Sequence, residues 1–216
     1  MTRIDVLQQI ESAGVVAIIR ASSSEQLIDV VEALRAGGIA CIEVTMTTPN
    51  ALEVIRNARQ ACGDSAAIGV GTVLDAPTAN AAILAGAQFV VAPITDLPTI
   101  ELCRREGVPV FPGAMTPTEI VRAWQAGADM VKVFPTTSLG ATFIRDLRGP
   151  FPQIKLIPTG GVTLETVADF IKAGSAAVGV GSSLVTKAAL KNRDFAAIKA
   201  TAEEFLKRVR AARGTS

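Results

Sequence analysis

Short apolar runs alternate with amphipathic segments along the whole chain, and this alternation limits the folds that the chain can adopt. The runs are rich in Val, Ile or Phe and are apolar on both faces, as in strands that a parallel sheet buries on both sides. They predict eight strands: Val15–Arg20, Cys41–Met46, Ile68–Val73, Phe89–Pro93, Val108–Gly113, Met130–Pro135, Lys155–Gly160 and Ala177–Ser182.

The segments between these runs predict helices, including Ser24–Ala36, Asn50–Cys62 and Thr116–Ala126. Polar capping residues followed by an early proline indicate helix starts at Asp75 and at Thr116, and Glu119 completes a capping box with Thr116. A glycine stands where helices should end, a position that suits its left-handed conformation. These glycines are Gly37, Gly38, Gly86, Gly107, Gly127 and Gly174.

Eight strand–helix units without a Pro/Gly/Ser-rich linker predict an α/β protein, a (β/α)₈ TIM barrel that forms one domain over residues 1–216. The N-terminal helix Arg3–Ser12 is expected to close the bottom of the barrel, and Asp194–Arg213 is expected to form the last helix. The repeat length also resembles that of a solenoid. A doubly wound open sheet is the other alternative, but the G-x-G-x-x-G fingerprint is missing after the first strand.

Composition excludes several classes of function. The chain has a net charge of +1, so electrostatics give no reason to expect nucleic acid or an anionic membrane as a partner. The charged start and the lack of an apolar stretch of about 20 residues predict neither a signal peptide nor a membrane span. Three widely spaced cysteines predict free thiols. We therefore expect a cytoplasmic protein.

The chain contains no histidine. A Ser-His or Cys-His pair is therefore impossible, and so is a metal site that relies on imidazole. If the protein is an enzyme, carboxylates, lysine, hydroxyl groups or water must perform its acid–base chemistry. We expect no metal and no cofactor.

Three charged residues lie on otherwise apolar strands: Arg20, Glu43 and Lys132. Function collects at the C-terminal ends of barrel strands, so these side chains are predicted to converge at one mouth. Burial disfavours the charged form of an amine, and a neutral amine attacks carbonyl carbon. Alternatively, Glu43 forms only a structural ion pair, Lys132 extends outward among the helices, and Arg20 reaches solvent.

Glycine-rich turns follow the last two predicted strands, at Thr159-Gly160-Gly161 and at Gly179-Val180-Gly181-Ser182. Phosphate groups commonly bind at these two loops of a barrel, where backbone N–H groups hold them. Each turn alone could be only a tight connection. The occurrence of both in the expected loops favours phosphate binding.

Six motifs in these segments resemble the 2-keto-3-deoxy-6-phosphogluconate (KDPG) aldolase family, which includes 4-hydroxy-2-oxoglutarate (KHG) aldolases. The resemblance extends over nearly the whole chain. The motifs are Val15-Val16-Ala17-Ile18-Ile19-Arg20, Ile42-Glu43-Val44-Thr45, Gly69-Val70-Gly71-Thr72-Val73, Phe111-Pro112-Gly113, Val131-Lys132-Val133-Phe134-Pro135 and Pro158-Thr159-Gly160-Gly161-Val162.

This resemblance implies a class I, metal-independent aldolase, usually a homotrimer, that acts on keto acids and sugar phosphates. Lys132 would form a Schiff base with the 2-keto carbon, and Glu43 would move protons. Substrate binding would fall to nine residues: Arg20 and Thr72 at anionic ends, Phe134 against the pyruvate unit, Gly160, Gly161 and Ser182 at the phosphate, and also Pro93, Thr159 and Gly181.

One position departs from the family pattern. Many members carry an arginine four residues after the catalytic glutamate, where it holds the substrate carboxylate. This chain has Thr47 there. The departure predicts a broader or shifted range of keto acids.

The sequence leaves other functions open. The same site could cleave 4-hydroxy-2-oxoglutarate or 2-keto-3-deoxy-6-phosphogalactonate instead of KDPG. Another phosphate-binding barrel, such as an isomerase or a synthase of indole or thiazole phosphates, would need different acid–base residues. A non-catalytic sugar-phosphate-binding barrel is the remaining alternative, and Arg20, Glu43 and Lys132 argue against it.

Overall fold

The computed structural model describes residues 1–20 and 24–214. Its strands are β1 (Val15–Ile19), β2 (Cys41–Thr45), β3 (Ala67–Gly71), β4 (Val90–Val91), β5 (Val110–Phe111), β6 (Gly113–Ala114), β7 (Val131–Val133), β8 (Leu156–Pro158) and β9 (Val178–Val180). Its helices are α1 (Arg3–Ala13), α2 (Ser24–Ala36), α3 (Ala51–Cys62), α4 (Ala76–Leu84), α5 (Leu97–Arg105), α6 (Pro117–Gln125), α7 (Gly140–Arg148), α8 (Val167–Lys172), α9 (Lys187–Asn192) and α10 (Phe195–Arg213).

The strands form two parallel sheets. The larger has six strands in the order β5-β4-β3-β2-β1-β9, and the smaller has three in the order β6-β7-β8. All pairs within these sheets are parallel, and helices connect successive strands except β5 and β6. An isolated parallel pairing joins Thr159, after β8, to Gly179 of β9. The protein therefore has an α/β fold with a curled parallel sheet.

The prediction of one continuous fifth strand over Val108–Gly113 was wrong. This segment contributes the end of one sheet and the start of the other, as β5 and β6, with Pro112 between them. Proline has no N–H to donate to a neighbouring strand, so the ladder breaks there. The fourth strand is also shorter than predicted, at two residues.

The predicted helix starts at Asp75 and Thr116 were confirmed, and so were the predicted helix-end glycines except Gly37, which has no positive φ. The Asp75 carboxylate accepts a hydrogen bond from the Thr78 N–H at 2.7 Å, and Thr116 and Glu119 form the predicted capping box at the start of α6. Gly38, Gly86, Gly107, Gly127 and Gly174 have positive φ values at the ends of their helices. Local sequence therefore fixes where these helices begin and end.

Two apolar layers flank the curled sheet. The larger lies between strands and helices, and the smaller lines the inner face. The inner layer includes Val16 of β1, Cys41 of β2 and Met130, which directly precedes β7, and α1 contributes Val6 and Ile10 to it. The predicted N-terminal helix therefore packs against the inner face of the sheet. None of the helices in the described ranges is both long and apolar enough to cross a membrane.

Packing of α1 can be tested at two isoleucines of the same helix. Ile10 is fully buried in the inner layer, whereas Ile4 is 66% exposed. Ile10→Ala should lower the free energy of unfolding by about 2–5 kcal/mol, because it removes buried methyl groups and leaves a cavity. Ile4→Ala should change it by less than about 0.5 kcal/mol. Urea denaturation measures both, and equal effects would contradict the packing of α1 described above.

Candidate active site

Lys132 lies on β7 and points to the inner face of the curled sheet. Its side chain is 6% exposed and lines a cavity with Val91, Phe111 and Ile157. Met130, two residues earlier, belongs to the inner apolar layer, as the alternation of side chains along a strand requires. The Lys132 Nζ lies 5.1 Å from the centre of the Phe134 ring, within the range of a cation–π contact. The structure therefore decides that Lys132 faces inward, which the sequence pattern left open.

Glu43 lies on β2 and lines the same cavity as Lys132. It is 2% exposed, and burial raises the pKa of its carboxyl group, although the positive charges of Lys132 and Arg20 act in the opposite direction. A raised pKa extends the range in which the carboxyl group can give up a proton as an acid. The pair is thus an amine and a carboxyl group that face one apolar cavity.

The cavity between Glu43 and Lys132 is narrow. Its volume is about 10 Å³, close to what a single water molecule requires. Thr159 and Gly179 also line it, and an isolated parallel pairing joins these two residues across the two sheets. A water molecule placed there could carry protons between the two groups.

A larger cavity of about 150 Å³ opens beside this pair. It is lined by Ile18, Arg20, Phe134, Thr159, Gly160, Gly161, Val162, Gly179, Gly181, Ser182 and Ser183. Within the described part of the chain, the N–H groups of Gly161, Ser182 and Ser183 donate to no protein acceptor. Free N–H groups, hydroxyl groups and the Arg20 guanidinium are the donors that bind phosphate oxygens.

The loop after β7 holds the Thr159-Gly160 turn in place. The Thr136 hydroxyl donates to the carbonyl oxygens of Thr159, at 3.1 Å, and Gly160, at 2.6 Å. Gly160 and Gly161 have φ values of 92° and 75°, which turn the chain sharply at the edge of the cavity. The turn is therefore fixed by the neighbouring loop, independently of a ligand.

Two of the predicted binding residues lie apart from this cavity. Pro93 lines a separate cavity of about 290 Å³, to which Phe134, Ile94 and Met115 also contribute. Thr72 lines neither of these cavities; it follows β3 with a φ of 61°, unfavourable for a β-branched residue. Phe134 is the one predicted residue that borders both cavities.

The structure adds lining residues that sequence reasoning missed. Ile18 lines the cavity of about 150 Å³ because it lies two residues after Val16 on the inner face of β1. Arg20 follows Ile18 by two residues, and alternate residues of a strand face the same side. The position of Ile18 was therefore predictable from the sequence. Ser183 also lines the cavity and adds a hydroxyl group next to that of Ser182, in the turn after β9. Thr136 had no sequence signal, because its role depends on a contact between two loops.

Thr47, at the position where many family members have arginine, is exposed. Its hydroxyl lies 2.9 Å from that of Thr45, which is buried at the end of β2. Thr48 is buried beside them, with its hydroxyl 3.5 Å from that of Thr45. This corner of the mouth therefore presents hydroxyl groups where an arginine would bring a charge.

Comparison with known proteins identifies the family. Residues 6–201 match the family described as KDPG and KHG aldolase. This chain belongs to that aldolase family. Over the described residues, no three His, Cys, Asp or Glu side chains are grouped so that they could hold a metal ion.

Individual relatives in the aldolase family agree with this assignment. A 2-dehydro-3-deoxy-phosphogluconate aldolase of Treponema pallidum is 34% identical over 94% of this chain and 97% of its own length. A 2-dehydro-3-deoxy-6-phosphogalactonate aldolase of Escherichia coli K12 is 34% identical over 78% of this chain and 83% of its own. The crystal structure of a Legionella pneumophila KDPG aldolase, with pyruvate captured as a covalent carbinolamine, superposes with a TM-score of 0.86. It is 28% identical and covers 92% of this chain and 96% of its own.

The burial of Glu43 predicts how stability depends on pH. Because its pKa is raised in the folded protein, the folded state keeps a proton that the unfolded chain loses above the ordinary value of 4.5. The stability that Glu43 contributes is therefore lost as the pH rises through this range. Glu43→Gln cannot ionise, so its free energy of unfolding should increase relative to the parent protein from pH 4.5 upward.

Urea denaturation at a series of pH values between 4 and 8 measures this difference. Glu53→Gln, at an exposed position on α3, controls for the loss of one negative charge. A difference between Glu43→Gln and the parent that stays constant with pH would contradict the effect of burial on Glu43.

Proposed function

We propose that this chain is a class I aldolase that reversibly cleaves 2-keto-3-deoxy-6-phosphogluconate to pyruvate and glyceraldehyde 3-phosphate. The observation that carries the proposal is the buried amine of Lys132, which shares an apolar cavity with the Glu43 carboxyl group. Family membership and the covalent pyruvate adduct in the Legionella pneumophila relative support it.

The reaction begins when the uncharged amine of Lys132 attacks C2 of the keto acid. An uncharged amine is the nucleophile that adds to a carbonyl carbon. Proton transfer to the oxygen gives a carbinolamine, and loss of water gives a protonated Schiff base. Glu43 supplies and removes these protons, through a water molecule in the narrow cavity beside it.

Cleavage uses the Schiff base as an electron sink. Glu43 accepts the proton of the C4 hydroxyl, the C3–C4 bond breaks, and its electron pair moves toward the positively charged nitrogen. The aldehyde leaves and an enamine of pyruvate stays on Lys132. Protonation at C3 and hydrolysis then release pyruvate and restore the amine. One carboxyl group can serve all these steps because it alternates between acid and base.

Substrate binding is proposed for the residues around this pair. The phosphate would occupy the cavity of Arg20, Gly160, Gly161, Gly181 and Ser182, whose donors suit an anion. Phe134 would pack against the pyruvate unit, since its ring lies near the Lys132 amine. Thr159 would line the reacting centre between the two, and Thr72 and Pro93 would contact the substrate from the other side of the mouth.

We further propose that the two sheets form one closed (β/α)₈ barrel in a single domain. The pairing between Thr159 and Gly179 supports closure on one side, and only Pro112 separates β5 from β6 on the other. Homotrimeric assembly, implied by the family resemblance, belongs to the same proposal. Ile94 and Met115 are exposed apolar neighbours that association could cover.

A second candidate is aldolase activity toward related keto acids in the same site. Thr47, whose hydroxyl lies 2.9 Å from that of Thr45, stands where the family resemblance places an arginine that holds the substrate carboxylate, and this favours a shifted substrate range. The Escherichia coli K12 relative, named as a phosphogalactonate aldolase, supports the alternative. Pyruvate release from KDPG, its galactonate epimer and 4-hydroxy-2-oxoglutarate would rank the three substrates.

Reductive trapping tests the amine directly. Incubation with pyruvate and borohydride should add one reduced pyruvyl group per chain on Lys132, because hydride reduces the Schiff base to a stable amine. Lys132→Ala should take up no label, whereas Lys155→Ala, at an exposed position before β8, should label as the parent does. Intact and native mass spectrometry would count labels and subunits together. An unlabelled parent protein would refute the proposed chemistry and favour a non-catalytic barrel.

The phosphate cavity is tested by charge removal. Arg20→Gln should raise KM for the phosphorylated keto acid by about 10-fold to 100-fold, because a hydrogen bond to an ionised group is worth about 1.5–3 kcal/mol. Its kcat/KM for an unphosphorylated keto acid should change little. Arg122→Gln, which alters the cavity on the far side of Phe134, is the matched control. Equal losses with both substrates would contradict a phosphate-binding role for Arg20.

A further inference from the structure

The last residue of β3, Gly71, lies against the side chain of Glu43. Gly71 pairs with Thr45, two residues beyond Glu43 on β2, so the carboxyl group extends along the strands toward the mouth. A Cβ atom on Gly71 would lie 1.7 Å from Oε1 of Glu43 and 2.3 Å from its Cδ. Such distances are far below van der Waals contact. The Glu43 carboxyl group therefore occupies the space that any larger residue at position 71 would need.

The backbone around Gly71 is held from both sides and cannot easily move away. The Gly71 carbonyl accepts a hydrogen bond from the Met46 N–H at 2.8 Å, and the Val73 N–H donates to the Val91 carbonyl at 3.2 Å. Between them, Thr72 has a positive φ, a conformation that persists only where the surroundings impose it. A side chain at position 71 would therefore displace Glu43 rather than the strand.

We propose that Gly71 is a positioning residue for the reaction: its missing side chain lets the Glu43 carboxyl group lie over β3 and face Lys132. This inference rests on the proposed aldolase function, because it assigns the geometry of that function's proton carrier. Gly71 itself touches no reacting atom. Its contribution is the place of the carboxyl group relative to the amine.

Gly69 provides a matched comparison in the same strand. It lies on the same face as Gly71 and pairs directly with Glu43 in the β2–β3 register. A Cβ atom there would meet the Phe89 ring at 2.4 Å, and Phe89 belongs to the inner apolar layer. Gly69 therefore leaves space for the Phe89 ring, whereas Gly71 leaves space for the Glu43 carboxyl group.

The test compares Gly71→Ala with Gly69→Ala in the full chain. Gly71→Ala should lower kcat by about 100-fold, since misplacement by about 1 Å costs that much in catalysis, and should shift the kcat–pH profile. Gly69→Ala should lower Tm while kcat per folded protein stays within about threefold of the parent and the pH profile is unchanged. Equal losses of kcat with the parent's pH profile in both variants would overturn the inference.

A shorter carboxylate should rescue the variant. A Cβ atom at position 71 would lie closest to Oε1 and Cδ of Glu43, at 1.7 Å and 2.3 Å, and farther from Cγ, at 2.6 Å. Aspartate at position 43 lacks one methylene and has its carboxyl carbon in the place of Cγ, so alanine at position 71 should displace it less than it displaces glutamate. Glu43→Asp should lower kcat in the parent but raise it in the Gly71→Ala protein, and it should give no such rescue in Gly69→Ala. Additive effects of Glu43→Asp and Gly71→Ala would contradict a contact between these positions.

A titration separates this inference from the proposed function. The ¹³C resonance of the Glu43 carboxyl group, assigned by its loss in Glu43→Gln, should titrate at a pH shifted by about half a unit or more in Gly71→Ala, but not in Gly69→Ala. If Gly71→Ala shows this shift and the parent protein has no aldolase activity, the proposed function is refuted and the contact is still supported. If Gly71→Ala shows no shift and the parent protein is active, only the role of Gly71 is refuted.

Discussion

The space inside the curled sheet is limited, and every functional feature depends on how that space is divided. Side chains alternate along each strand, so only every second residue points inward. Near the start of the strands these residues are apolar and α1 packs against them, as Val16, Cys41 and Met130 show. Two residues further along β2 and β7 come Glu43 and Lys132. Two residues along each strand thus separate the apolar core from the candidate active site.

Removing Glu43 and Lys132 from water carries an energetic cost that the surroundings offset only in part. Burial of an ion costs several kcal/mol even after the protein relaxes. The positive charges of Lys132 and Arg20 favour ionised Glu43, yet burial dominates and the pKa of Glu43 rises. The Phe134 ring offers a cationic Lys132 a favourable contact at 5.1 Å. The apolar lining that raises the pKa of Glu43 also lets its carboxyl group donate a proton over a wider pH range. Stability is therefore lower where the chemistry is possible.

Much of this arrangement was predictable because local signals have local causes. Helix starts at Asp75 and Thr116 follow from capping hydrogen bonds within one turn. Isolated charges and glycines on apolar strands singled out Glu43, Lys132 and the turn at Gly160 as candidates, but did not decide which way the Lys132 side chain points. Ile18 could have been found by the same period of two. The break at Pro112 was missed because the strand pattern continues through it, although proline cannot donate to the ladder.

The sequence by itself determined the alternation of strands and helices, the absence of imidazole chemistry and the charged residues that lie on otherwise apolar strands. These properties depend on residue types and short spacings. Only the tertiary structure decided that Lys132 faces inward, that Thr136 fixes the Thr159-Gly160 turn and that Gly71 leaves space for Glu43. Each of these facts depends on a contact between strands or loops distant in sequence, and one strand's alternation does not reveal which of its two faces is the inner one.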